Sequence, residues 1–360
     1  MLGTHANLSS ASTLRDGAVL RAEAVVIGLG AGGAMVFHDL AKAGRDVLAL
    51  EFGGVHEAPD MARREELMLP QLFMEGASRA TDDLAIRVLQ GKGVGGSTLH
   101  NTNLCRALPH ELRDQWIEDY GVTTLRDGLA EDFVAVERLL GVHAVPDEKV
   151  NANNALVQRG LDALGWRGGR MAHNRAGCKG SGFCELGCPN DGKQNAAKVL
   201  VPGGLDAGGR VLTHARADRI VEDAGSVCAV EAVAVDPDSG RDAARFTVHA
   251  ERVILSASAT NSAAIALRSE LPNPHGLTGT NLHMHPGAYV GGLFEERVDS
   301  WFGVPQSVEC TEYLEFTREA TRRAWILAGA AHPGAVAGLM PGFGVVHGRD
   351  MRRAPHLGVL

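Results

Sequence analysis

The stretch Ala22-Glu-Ala-Val-Val-Ile27-Gly28-Leu29-Gly30-Ala31-Gly32-Gly33, with Asp46-Val-Leu-Ala-Leu50-Glu51 shortly after it, decides the fold. Ala22–Ile27 is a short apolar run ending in glycines, the signature of a strand buried on both faces of a parallel sheet. Gly32–Ala43 reads as a helix stopped by Gly44, and Asp46–Leu50 as a second buried strand, completing one βαβ unit. Gly28, Gly30 and Gly33 keep the G-x-G-x-x-G spacing of a dinucleotide fingerprint. In such a fingerprint the first glycine permits the sharp turn, and the second lets the backbone approach a pyrophosphate. The third lets the helix pack closely on the strand. The helix start, Ala31 and Gly32, offers N–H groups and the positive end of the helix dipole to phosphate. Glu51 stands where a carboxylate accepts hydrogen bonds from both ribose hydroxyls, which disfavours a 2′-phosphate. By itself this turn does not separate FAD from NAD.

Outward from this unit the chain has an ordinary globular composition. It has 360 residues, of which 45% are hydrophobic and 22% charged, and its 45 glycines suit many tight strand–helix turns. That length fits two domains. The formal charge of -8, with no basic stripe, gives nucleic acid no electrostatic footing. The apolar runs fall short of a membrane span, so no transmembrane segment is expected. Residues 1–21 read as an irregular leader without a signal-peptide core, and the expected location is cytoplasmic. Further on, Glu111–Tyr120 and Leu125–Leu140 read as helices. Residues 173–195 read as a loop, and Arg210–His214 and Asp218–Val221 as strands. Ala229–Val235 and Phe246–Ala250 alternate like an antiparallel pair, and Arg252–Ser256 reads as a separate buried strand.

Residues 91–101 form a second glycine-rich loop, Gly91-Lys92-Gly93-Val94-Gly95-Gly96-Ser97-Thr98-Leu99-His100-Asn101. Adjacent glycines followed by Ser-Thr let a loop lie flat on a planar ligand and donate backbone N–H groups. An NAD dehydrogenase has no need of such a loop.

With these two loops, three more segments carry a resemblance. They are Cys178…Cys188-Pro189 ahead of Gly192-Lys193-Gln194, Arg252–Ala257, and Gly279-Thr-Asn281-Leu-His283-Met-His285-Pro286. Taken together the sequence resembles the glucose-methanol-choline (GMC) oxidoreductases over most of residues 22–345. It departs from their pattern at Ser258, Ser262-Ala263 and Ser269-Glu270.

The resemblance implies an α/β fold: a discontinuous Rossmann-like FAD-binding domain and a partial α+β substrate-binding domain. The implied boundaries are 22–105 with 196–285 for the first, and 106–195 with 286–360 for the second. It implies FAD as cofactor and oxidation of a small-molecule alcohol, sugar or sterol at a CH–OH carbon, with hydride transfer to flavin N5. The positions assigned to FAD are Gly28, Gly30, Ala31, Gly32, Gly33, Glu51, Lys92, Gly95, Gly96, Ser97, His100, Asn101 and Ala217. Because some relatives attach FAD covalently through a histidine beside this asparagine, His100 is a candidate 8α-histidyl link; the alternative is a histidine that only stacks or hydrogen-bonds near the flavin.

Cys178-x5-Cys184-x3-Cys188 places three thiols in a glycine-rich loop. Some sugar dehydrogenases of the resembled family hold an iron–sulfur cluster in this region. Cys178, Cys184 and Cys188 are therefore candidate metal ligands, with a structural thiol cluster as the alternative. A zinc site would need a fourth ligand, for which His173 is nearest. His283 and His285 at i, i+2 could share a face for a metal, but the resemblance makes them a structural connection.

The resembled family takes its catalytic histidine from a segment that follows the substrate domain, here expected beyond residue 360. His347 does not match that motif. Three explanations stand side by side: a shortened enzyme, a complementing C-terminal polypeptide, or a non-catalytic protein. In that last reading the chain is a flavin- or iron–sulfur-binding electron-transfer fragment or subunit. An NAD-dependent dehydrogenase is the third class, and it leaves residues 91–101 without a role.

Overall fold

The computed structural model describes residues 2–126, 128–284, 286–329 and 332–360. The chain divides into two compact units, 1–100 with 186–189 and 195–285, and 101–185 with 190–194 and 286–360.

The first unit is built on one seven-stranded sheet. In chain order its strands are β1 (Leu8–Ser10), β2 (Ala18–Ile27), β3 (Val47–Leu50), β4 (Arg210–Thr213), β5 (Ala215–Asp223), β6 (Ser226–Val235) and β7 (Asp242–Leu255). They lie in the order β1-β4-β3-β2-β7-β6-β5. The first five in that order run parallel, and β6 and β5 extend the sheet antiparallel. Val25, Ile27, Leu48, Leu50, Val230, Phe246 and Val248 pack as one core cluster with Ile265. Helix α1 (Ala31–Lys42) follows β2 and buries Phe37 completely. Its close packing depends on Gly33, where a Cβ would stand 1.9 Å from the Gly28 carbonyl oxygen. Helix α2 (Ser258–Arg268) follows β7.

Three elements differ from the sequence reading. Residues 2–21 are not an irregular leader, because β1 pairs with β4 and β2 begins at Ala18. Leu8-Ser-Ser10 shows no apolar alternation because it joins the sheet through backbone hydrogen bonds. The expected strands 246–250 and 252–256 are one 14-residue strand. Along it the pairing changes from a ladder on both sides to pairing with β2 alone, so the apolar period changes midway. Helix Ala152–Leu164 lies in the stretch 110–166 whose pattern reads as helical, but that pattern does not give its bounds; the Asn151 side chain caps it by accepting from Asn154 N at 2.9 Å.

The second unit is mostly helix and short strand. Helices His110–Tyr120, Leu129–Leu140 and Ala152–Leu164 are followed by a three-stranded sheet ordered Ile326–Leu327, Val308–Cys310, Gly168–Arg170. The second helix starts later than the sequence suggested because Gly128, at φ 80°, turns the chain just before Leu129. Among the described residues no helix is long and apolar enough to cross a membrane.

Candidate functional site

A cleft of about 730 Å³ opens in the first unit. Its floor includes Ile27, Leu50 and Leu255, the last residues of β2, β3 and β7, so it lies at the carboxyl ends of the parallel strands. That is where open α/β sheets receive ligands. Gly28, Gly30, Ala31, Gly32, Glu51, Lys92, Gly96, Ser97 and Ala217, all named from sequence, line it.

The two glycine turns meet directly. Gly95 N donates to Leu29 O at 2.9 Å. Gly96, at φ 51°, lies so close to the first turn that a Cβ on it would sit 2.7 Å from Gly30 Cα. The Glu51 carboxylate joins them a second time. Its Oε2 accepts from Leu29 N at 3.0 Å, while Oε1 accepts from Gly53 N at 2.9 Å and Gly93 N at 3.0 Å. Burial nevertheless pushes the Glu51 carboxyl above its ordinary value, against the pull of those N–H donors. The sequence reading gave Glu51 to ribose hydroxyls; the structure shows a carboxylate that first holds the two turns together. Within the second loop, Ser97 Oγ accepts from Gly91 N at 2.9 Å, and Thr98 Oγ1 donates to Gly95 O at 2.6 Å.

Four assigned residues do not line the cleft. Gly33 and Gly95 serve the packing just described. The buried His100 ring lies on Phe73, with centroids 3.9 Å apart. Asn101 belongs to the second unit, where its carbonyl accepts from Lys193 Nζ at 2.6 Å.

The sequence reading missed Arg79, Gln90 and Asn261, which line the cleft with Glu75. Arg79 Nη1 donates to Gln90 Oε1 at 2.9 Å, Thr260 Oγ1 at 3.1 Å and Asn261 Oδ1 at 2.9 Å. No motif marks Arg79, which lies in a charged stretch that looks like plain surface. The cleft also carries Lys92, Arg216 and Arg268 against the carboxylates of Glu51 and Glu75. This balance and the helix start favour an anionic ligand such as a pyrophosphate. Burial lowers the Lys92 ammonium below its ordinary value.

The metal assignment gains no support from the geometry. Among the described residues no group of three or more His, Cys, Asp or Glu side chains is gathered to hold a metal ion. Cys188 falls in the first unit, where its N–H donates to Met61 Sδ at 2.8 Å. Cys178 and Cys184 fall in the second unit, and the Cys184 Sγ faces the Arg175 guanidinium at 4.0 Å, a poor neighbour for a cation. His173 is occupied as well: its Nδ1 accepts from Arg175 Nη1 at 2.7 Å and its Nε2 faces His143 Nε2 at 3.2 Å. His283 is exposed, and His285 lies outside the described residues.

Comparison with known proteins agrees with this geometry. Residues 69–287, more than half of the chain, match the family described as GMC oxidoreductase. The chain belongs to the GMC oxidoreductase family. An uncharacterised GMC-type oxidoreductase of Mycobacterium tuberculosis is 32% identical over 342 residues, 94% of this chain and 52% of that protein. A long-chain-alcohol oxidase of Arabidopsis thaliana is 25% identical over 331 residues, 89% of this chain and 45% of that protein. This GMC chain therefore spans about half the length of the curated relatives it matches. Pyridoxine 4-oxidase from Mesorbium loti shares the fold at a TM-score of 0.57 and 18% identity, over 86% of this chain and 67% of its own.

Proposed function

We propose that the cleft binds one FAD, and that this GMC chain is the cofactor-holding part of an oxidoreductase acting on CH–OH donors. One observation supports this reading above the rest: Gly95 and Gly96 lie against Leu29 and Gly30, so two glycine turns form the wall of a single cleft. A nicotinamide dinucleotide needs only the first turn. In this reading the first turn of α1 faces the pyrophosphate. Glu51 and Ala217 lie at the adenosine end, and Lys92 to Ser97 lie toward the flavin.

Bound FAD would supply the two-electron acceptor that takes a hydride from the alcohol carbon at N5. The chain's own residues bind and orient. Leu29, Gly53 and Gly93 fix the Glu51 carboxylate, and Glu51 in turn fixes the two loops. The base that takes the hydroxyl proton is not assigned to any described residue. The likeness to long-chain-alcohol oxidases favours a long-chain alcohol as the donor.

The test is a visible spectrum of the purified chain, with its cofactor content. We expect the two flavin bands and one FAD per chain. A colourless protein that takes up NADH and not FAD overturns the reading.

A further inference from the structure

Arg79 joins two stretches of the cleft lining that lie far apart in sequence. Its Nε donates to Glu75 Oε2 at 2.6 Å and its Nη2 to Glu75 Oε1 at 2.6 Å. Its Nη1 reaches Gln90, Thr260 and Asn261, and Thr260 Oγ1 donates to Gln90 Oε1 at 2.7 Å. Gln90 Nε2 adds a bond to Ala257 O at 3.4 Å. One guanidinium thus ties residues 75–79 to residue 90 and to the start of α2.

The tied segment is strained. Glu75, Gly76 and Ala77 have φ of 48°, 62° and 66°, three consecutive residues in the left-handed region. For Glu and Ala this is an unfavourable backbone, and it persists only where surrounding contacts over-determine it. The Glu75 carboxyl, held below its ordinary value first by its bond from Arg79, stays ionised at neutral pH. The Arg79 side chain thus joins this turn to Thr260 and Asn261, beside backbone bonds such as Met74 N to Gln90 O at 2.8 Å that hold it to residue 90.

We propose that Arg79 is a clasp: by holding the strained 74–79 segment to Gln90, Thr260 and Asn261, it keeps the cleft lining closed and sets how fast a bound dinucleotide leaves. This rests on the FAD reading above. Arg79 acts as a positioning residue. Losing it lets residues 75–77 relax to ordinary φ values and frees the 74–79 segment from Thr260 and Asn261 at the start of α2.

The experiment loads the full chain with FAD and follows the rise in flavin fluorescence as FAD dissociates after dilution, in the parent and in Arg79→Ala, Arg79→Lys and Asn261→Ala. We expect Arg79→Ala to speed dissociation at least tenfold, with thermal unfolding of the FAD-free protein moving little. Arg79→Lys, which keeps the charge and loses the forked geometry, should recover part of the retention. Should Arg79→Ala fail to fold, Asn261→Ala, which removes a single acceptor, should still speed dissociation severalfold. Dissociation at the parent rate in whichever variants fold overturns the clasp. A parent that takes up no FAD at all sinks the cofactor reading instead, so the two failures are distinct.

Discussion

Gly95 N donates to Leu29 O at 2.9 Å, and by that bond the second glycine loop closes onto the turn between β2 and α1. Neither turn alone makes a cleft; the bond, the Gly96–Gly30 approach and Glu51 bring them into one wall.

Gly30 separates a ligand requirement from a folding requirement. It has an ordinary φ of -72°, and a Cβ on it would meet nothing within 4 Å. Gly30→Val should therefore leave unfolding within about 1 kcal/mol of the parent. It should lose FAD by at least tenfold, because only a bound pyrophosphate needs that space. Gly96→Ala should do both kinds of harm, since its Cβ would strike Gly30 Cα at 2.7 Å. Denaturant unfolding beside FAD titration checks this; full FAD content in Gly30→Val would refute it.

Glu51→Gln keeps the shape of the side chain and replaces one acceptor oxygen by an N–H donor. At least one of the Leu29, Gly53 and Gly93 donors then loses its partner in a fully buried place. The expected cost is about 1–3 kcal/mol of stability. Weaker FAD binding should accompany it. An unchanged denaturation midpoint would show that the carboxylate does not hold the turns.

His173 gives the second unit an acid sensitivity. Burial first, then Arg175 and His143, lower it from 6.5 to about 4. Its folded form resists protonation that the unfolded chain accepts. Stability from this group is therefore complete above about pH 6.5 and is lost as pH falls toward 4, by up to about 3 kcal/mol. His173→Asn, which can still accept from Arg175, should flatten that slope. Denaturant midpoints measured across this pH range would show it, and equal slopes in both proteins would count against it.

His100 stacks on Phe73 behind Gly91, and its ring is not itself part of the cleft lining. FAD is accordingly expected to be held without a covalent bond and to leave in the supernatant when the protein is precipitated with acid. A yellow pellet, with an intact mass heavier by one FAD, would restore the 8α-histidyl link.

Much of this was legible in the residues. The strand ending at Ile27, the glycine spacing at 28–33 and Glu51 at the end of β3 each follow from local chemistry: burial period, backbone freedom and charge. The cysteine assignment found no support among the described residues, because ligand spacing in a loop says nothing of what side chains the folded chain gathers around each thiol. Arg79 was invisible because nothing in a charged stretch reveals that its side chain will reach Asn261, distant in sequence.

The sequence by itself determined that two backbone turns in this protein can come unusually close to other groups, because glycine alone lacks the atom that would prevent it. Only the tertiary structure decided what they approach. Parallel pairing of β2 with β3 and β7 sets Leu29 and Gly30 at the carboxyl end of the central strand. A buried carboxylate and a handful of backbone bonds then hold Gly93–Gly96 there. Such pairings join residues that no local period or spacing connects.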